Sequence, residues 1–306
     1  MNYHLKFPIL INAAGVADPA AFTFQRFFMR FLIFFVLCLM LLGFRVSETY
    51  QQEIEAFHQA RIASLKSENG WLNLAGLFWL NEGVNTLGGD PKNDFVFPAD
   101  HSDAFVGQVI KKGECVFYVN KNDTLQVYPY VGNPVIVAHQ TLRWFIIKRG
   151  DKFAIRLRDL DGEYLKAFTG LTHFPIDSTW RLKGKFIPTK GRKITIIDVT
   201  GRSYQEESPG KVEFKLNGKA YSLEASQEGD ELFIVFGDQT NKVETYGAGR
   251  FIYVKMPDSK GNVTIDFNKA FNPPCAFTPY ATCPLPTPAN KLKVSIRAGE
   301  QFNGHH

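Results

Sequence analysis

KVEFKLNGKAYSL, residues Lys211–Leu223, sets the fold class. Its centre, Asn217-Gly218, is the strongest short hairpin signal in the chain, because a two-residue type I′ turn needs positive φ at both central positions and this pair supplies it at little steric cost. Val212, Phe214 and Leu216 alternate with charged residues before the turn, and Tyr221 and Leu223 resume the alternation after it. A period of two is the mark of a strand with one buried face. The same cadence precedes it in Asp94–Pro98, Val106–Lys111, Cys115–Asn120, Thr124–Tyr130, Pro134–Gln140, Arg143–Lys148, Lys152–Arg158 and Lys193–Val199. It continues in Leu232–Phe236, Arg250–Val254 and Asn262–Asp266, with turn dipeptides such as Lys112-Gly113 and Arg149-Gly150 dividing the runs. Such spacing predicts a mainly β protein built of antiparallel sandwich or barrel units. The 28 phenylalanines suit it, since a flat ring packs well on a pleated surface. Leu160–Pro188 is less regular and reads as the hinge between a β unit over 48–160 and a second over 161–306. No repeat period is visible, which argues against a solenoid or propeller.

The N-terminal side reads differently. Phe31–Phe44 is an uncharged apolar run preceded by Met29 and two arginines, Arg26 and Arg30, the order of a signal peptide. It is short for a membrane span, which needs about 20 apolar residues. The 28 residues before Met29 resemble no signal-peptide start, which points to Met29 as the natural beginning. Residues 1–47 are therefore read as a leader, cleaved or kept as a membrane anchor, and the mature chain as exported to the periplasm or cell envelope. Glu48–Lys66 follows as a helix, with Ile54, Phe57, Ile62 and Leu65 roughly on one face. Trp71–Leu80 is nearly continuous in apolar residues and fits a buried strand pair or a short buried helix.

With 35 basic and 30 acidic residues the net charge is +5, small for 306 residues and partly owed to the arginines around the leader. That is no footprint for nucleic acid. The chain holds no Gly-x-Ser-x-Gly elbow, phosphate-binding glycine loop, His-Glu-x-x-His or dinucleotide fingerprint. No catalytic residue, cofactor or metal is therefore assigned.

What remains is NPPCAFTPYATCPLPTPAN, Asn272–Asn290, whose six prolines exclude an ordinary helix or central strand. A rigid track of preset shape that carries Cys275, Tyr280, Cys283 and Asn290 is the best candidate for a binding surface. Asp266, Asn268 and Asn272 alternate with Phe267 and Phe271 just before it. Arg250 stands at the start of an apolar strand after Gly247 and Gly249, and its planar fork suits a carboxylate or phosphate. An ion pair with Asp266 across a hairpin is the structural alternative. Cys275 and Cys283 admit a disulfide in an oxidising compartment, a buried reduced pair, or a reactive or metal-bound pair.

Three segments, GWLNLAGLFWLNEG (Gly70–Gly83), YGAGRFIY (Tyr246–Tyr253) and DFNKAFNPPCAFTPYATCPLP (Asp266–Pro286), resemble bacterial exported proteins classed as domain of unknown function 1684. The likeness runs from about Thr49 to the end of the chain. It implies an exported protein and supplies no catalytic residue. Gly83–Pro98 is also similar to the opening strands of forkhead-associated domains, which bind phosphothreonine. Here Gly89 replaces the arginine that would grip the phosphate, and Ser102 is not followed by the expected histidine, so that likeness implies fold and not phosphopeptide binding.

The reading that follows is a β-rich binding protein whose pocket, between the Arg250 strand and the 272–290 segment, takes a small polar or anionic ligand. Its residues would be Arg250, Asp266, Asn268, Asn272, Tyr280 and Asn290. A thiol-dependent or hydrolytic envelope enzyme using Cys275 or Cys283, and a structural interaction module, are the alternatives.

Overall fold

Alternation along the sequence becomes antiparallel sheet almost throughout the computed structural model, which describes residues 49–121, 123–302 and 304. The leader over 1–47, including Phe31–Phe44, lies outside the described residues. No described helix is long and apolar enough to cross a membrane.

Helix α1 (Tyr50–Lys66) leads in and buries Ile54 and Leu65 completely. A short 3-10 turn over Trp71–Asn73 follows, so the apolar Trp71–Leu80 run is one turn and one strand, β1 (Leu74–Trp79). Two sheets then pack face to face. The first has the order β1, β9 (Lys152–Asp159), β8 (Leu142–Arg149), β7 (Val137–His139). The second has the order β3 (Phe95–Val96), β2 (Gly83–Gly88), β4 (Gly107–Lys112), β5 (Cys115–Asn120), β6 (Asp123–Tyr128). Only the two-residue β2–β3 pairing is parallel. Their shared core holds Leu87, Val109, Val116, Trp144, Phe153 and Ile155. Each such side chain contributes about 1.5–3 kcal/mol on leaving water.

The second half forms one six-stranded antiparallel sheet, β14 (Arg250–Lys255), β13 (Glu231–Phe236), β12 (Lys219–Glu228), β11 (Ser203–Leu216), β10 (Arg181–Ile197), β15 (Asn262–Asp266). Its edge strands β14 and β15 meet, so the sheet curls into a nearly closed barrel. The Asn217-Gly218 turn is where the sequence puts it, with φ of 50° and 75°. Val212, Phe214 and Leu216 point into the barrel with Leu223, Ile234 and Phe236.

One strand is longer than its pattern suggests. Arg181–Pro188, expected to be irregular, pairs with both β11 and β15. Its Gly184 is required by crowding, because a Cβ there would meet the carbonyl oxygen of Glu213 at 2.7 Å. The ladder between β10 and β11 shifts register between Pro188 and Arg192, where a proline cannot donate. That bulge divides the hairpin. Its lower half closes the barrel, and its outer half, Arg192–Ile197 against Ser203–Ser208, reaches the proline ribbon.

The ribbon is pinned along its length. Leu285 N–H donates to the Ile197 carbonyl at 2.8 Å, and Val199 N–H to that of Cys283 at 2.9 Å. Tyr246 Oη donates to the Cys275 carbonyl at 2.9 Å. Asn290 accepts from Glu224 N–H at 2.7 Å and donates to the carbonyls of Glu224 and Val235, both at 2.9 Å. Beneath the ribbon Phe233, Phe251, Cys275, Ala281 and Cys283 form a small core of their own on the outer face of β13 and β14. Prolines preset the backbone, and asparagines and sheet edges supply the donors that prolines lack.

Candidate functional site

Arg250 does not face a cavity. It is 0% exposed, with Nη2 donating to Asp238 Oδ2 at 2.9 Å and to the Ile296 carbonyl at 2.7 Å, and Nη1 to the Ala298 carbonyl at 2.5 Å. Its carboxylate partner is Asp238 rather than Asp266. Asp266 accepts instead from Tyr50 Oη at 2.8 Å, and Asn268 Nδ2 donates to Tyr50 Oη and to the Asp177 carbonyl, both at 2.8 Å. These two residues fasten α1 to the end of the barrel. Asn290 is spent on the ribbon. Asn272 donates to the Gln301 carbonyl at 2.9 Å and lines a second, mostly apolar cavity of about 470 Å³ with Phe168, Phe277 and Phe302. Tyr280 is half-buried, edge-on to Tyr164 with centroids 6.4 Å apart, and lines neither cavity. The six residues therefore do not converge. For all but Tyr280 the physical reason is shared: an irregular chain leaves backbone groups unpaired, and buried Asn, Asp and Arg are drawn into pairing them.

A cavity of about 560 Å³ nonetheless opens between the Arg250 strand and the ribbon. Phe251 and Tyr253 of β14, with Phe233 of β13, form one wall, and Ala281–Pro284 of the ribbon another. The β8–β9 turn brings Lys148, Arg149 and Gly150, and the outer half of β11 brings Tyr204 and Glu206. Arg61 of α1, Arg202 and Glu228 complete the charged lining, five cations against two carboxylates.

Strand alternation explains the most telling of these. Phe153, Ile155 and Leu157 of β9 turn into the sandwich core, which sends Ala154, Arg156 and Arg158 to the opposite face. Arg156 is 7% exposed. Its guanidinium carbon lies 5.6 Å from the Trp71 ring centroid, and its buried Nε has no acceptor. Among the described residues no carboxylate pairs with it, and burial together with Arg149 and Arg158 pulls its pKa down to about 10. Its neighbours differ. Lys148 pairs with Glu114. Arg202 Nε meets Asp198 Oδ2 at 3.0 Å, and its guanidinium lies 4.4 Å from the Tyr204 ring. Arg61 Nε meets Glu300 at 3.2 Å.

On the carboxylate side, burial weakens the acidity of Glu206, a hydrogen bond with Ser226 works against that and Glu228 adds to it, while Glu228 accepts from Tyr253 Oη at 2.7 Å. Burial, followed by that hydrogen bond, raises the Tyr253 hydroxyl well above an ordinary phenol.

Cys283 lines the same cavity at its edge. It and Cys275 are not joined as a cystine. Their sulfurs meet through a hydrogen bond, and Cys275 N–H donates to Cys283 Sγ at 3.1 Å. Sharing one proton favours a first ionisation on Cys275 and pushes the second, on Cys283, far up. Among the described residues no group of three or more His, Cys, Asp or Glu could hold a metal ion.

The sequence reading missed Arg149, Arg156, Arg202, Glu206 and Glu228. A signal existed in KFAIRLRD, where two arginines occupy one face of a strand whose other face carries Phe153, Ile155 and Leu157. Only the fold shows that this strand is central and its outer face covered.

Residues 166–301 match the model of a family described as Protein of unknown function (DUF1684). The match holds the Tyr246–Tyr253 and Asp266–Pro286 segments and stops short of Gly70–Gly83. Among solved structures, the chain is similar to the solution NMR structure of an uncharacterized protein from gene locus rrnAC0354 of Haloarcula marismortui. Identity is 26% over 46% of this chain and 80% of that one, with a TM-score of 0.39, too low to carry an argument. No curated protein matches. Neither match bears on the forkhead-associated likeness.

Proposed function

We propose that this protein binds a small anionic molecule between β9, β14 and the proline ribbon; the DUF1684 match over residues 166–301 names no activity. The carrying observation is Arg156, a nearly buried guanidinium at the cavity with no carboxylate partner among the described residues. Burying such a charge costs several kcal/mol unless something pairs with it. A bound carboxylate or phosphate is the partner that would offset that cost, with Arg149 adjacent and aromatic rings for an apolar portion. Export to the cell envelope, inferred from the Phe31–Phe44 run, belongs to this proposal and is tested by cell fractionation.

The binding test is isothermal titration of the folded domain with small phosphate monoesters and carboxylates. Arg156→Met is expected to fold and to lose binding, whereas equal binding by wild type and variant would remove Arg156 from the site.

One observation favours a second reading, a thiol-dependent enzyme: Cys283 lines this same cavity beside Arg156. Iodoacetamide labelling with mass spectrometry of unreduced protein tests it. Rapid modification of Cys275 or Cys283 in the native state supports the reading, and protection until unfolding opposes it.

A further inference from the structure

The cavity holds unpaired charge of both signs, and its two signs do not meet. Arg156 and Arg149, from β9 and the β8–β9 turn, have no carboxylate partner among the described residues. Glu206 on β11 and Glu228 at the end of β12 likewise lack a basic partner there. All four line one cavity. Flexible side chains of opposite sign that share a small space ordinarily close into ion pairs. These are held apart by the strands that carry them, with the cavity between. The two carboxylates also act on each other, Glu228 making Glu206 harder to ionise, as happens when like charges sit close with no cation between them. Tyr253 Oη donates to Glu228 and leaves that carboxylate further acceptor capacity.

We infer that the ligand is a zwitterion, its phosphate or carboxylate held at Arg156 and Arg149 and a primary ammonium held between Glu206 and Glu228. This rests on the anion-binding reading and adds a second pole to it. An ammonium fits the acidic end because it is a compact donor of three hydrogen bonds, able to serve two carboxylates at once. Phe233 and Phe251, which line the same cavity, would cover a short aliphatic linker.

The test uses matched pairs that differ only in the ammonium: O-phosphoethanolamine against propyl phosphate, and 4-aminobutyrate against pentanoate. Each is titrated into wild type, Glu206→Gln/Glu228→Gln and Arg156→Met, with circular dichroism confirming that each variant is folded. The inference expects the ammonium-bearing member of at least one pair to bind wild type about fivefold more tightly, the worth of one partly exposed ion pair. That advantage should vanish in the double glutamine variant, which still binds the ammonium-free member. If both members of both pairs bind wild type equally and through Arg156, the zwitterion is overturned and the anion reading stands. If no probe binds wild type, both fall. Should the double variant be unfolded, Glu206→Gln alone decides: an undiminished preference for the ammonium counts against the acidic pole.

Discussion

Arg250 and Arg156 are both arginines buried on β strands, yet their surroundings are opposite. Around Arg250, Asp238 and the carbonyls of Ile296, Ala298 and Glu300 take up both terminal nitrogens, and only Nε is left without an acceptor. Around Arg156 there is an indole ring, two more arginines and an open cavity. A buried charge paired with a carboxylate ties a fold together; one without such a partner among the described residues is a candidate site. Burial alone therefore says little about function, and the inventory of partners says a great deal.

The contrast has measurable consequences. Arg250→Met leaves the Asp238 carboxylate buried with no cation and strips three carbonyls of a donor, so urea unfolding should show a loss of about 3–5 kcal/mol. A loss under about 1 kcal/mol would mean that region is no tie. Asn290→Ala removes three hydrogen bonds that fix the ribbon to Glu224 and Val235. The same measurement should give about 2–3 kcal/mol, and near-normal stability would show the ribbon to be held by its prolines alone.

The Arg250 side also carries a pH signature. His173, stacked on His58 at 3.6 Å, is kept neutral because burial and that neighbour pull its pKa down to about 4. The unfolded chain takes up this proton near pH 6.5, so stability is full above that pH and falls as pH drops from there toward about 4. With its partial exposure allowed for, the loss is about 1–2 kcal/mol. His173→Asn should flatten this part of the stability–pH curve relative to wild type, and an unchanged slope would assign it elsewhere. The smallest effect belongs to Arg156→Met. Deleting this buried charge relieves its desolvation but also removes the guanidinium's contact with the Trp71 ring, so stability should stay within about 1 kcal/mol of wild type, on the favourable side.

Much of the fold could be read from residue order. The Asn217-Gly218 hairpin and the alternating runs around it became the barrel, because side-chain period and turn chemistry are local properties. Arg181–Pro188 escaped because Gly184 and Pro188 look like breakers until two neighbouring strands and a bulge accommodate them. The ribbon announced itself through its prolines, and a cavity does lie between it and the Arg250 strand. The residues that charge this cavity were hidden, because Arg156 comes from β9, Arg202 and Glu206 from the start of β11 and the turn before it, and Glu228 from the end of β12. Conversely, Arg250, Asp266, Asn268 and Asn290 have the chemistry of ligand contacts and spend it on the backbone. No sequence pattern separates those two uses; only the count of nearby donors and acceptors does.

The decisive observation is the rise in melting temperature that a small phosphate monoester or carboxylate gives to wild type and to Arg156→Met, followed side by side. A dose-dependent rise in wild type that is absent in a folded Arg156→Met protein is the predicted result. Equal rises in the two, or none in wild type, would contradict the claim that this unpaired guanidinium awaits an anion.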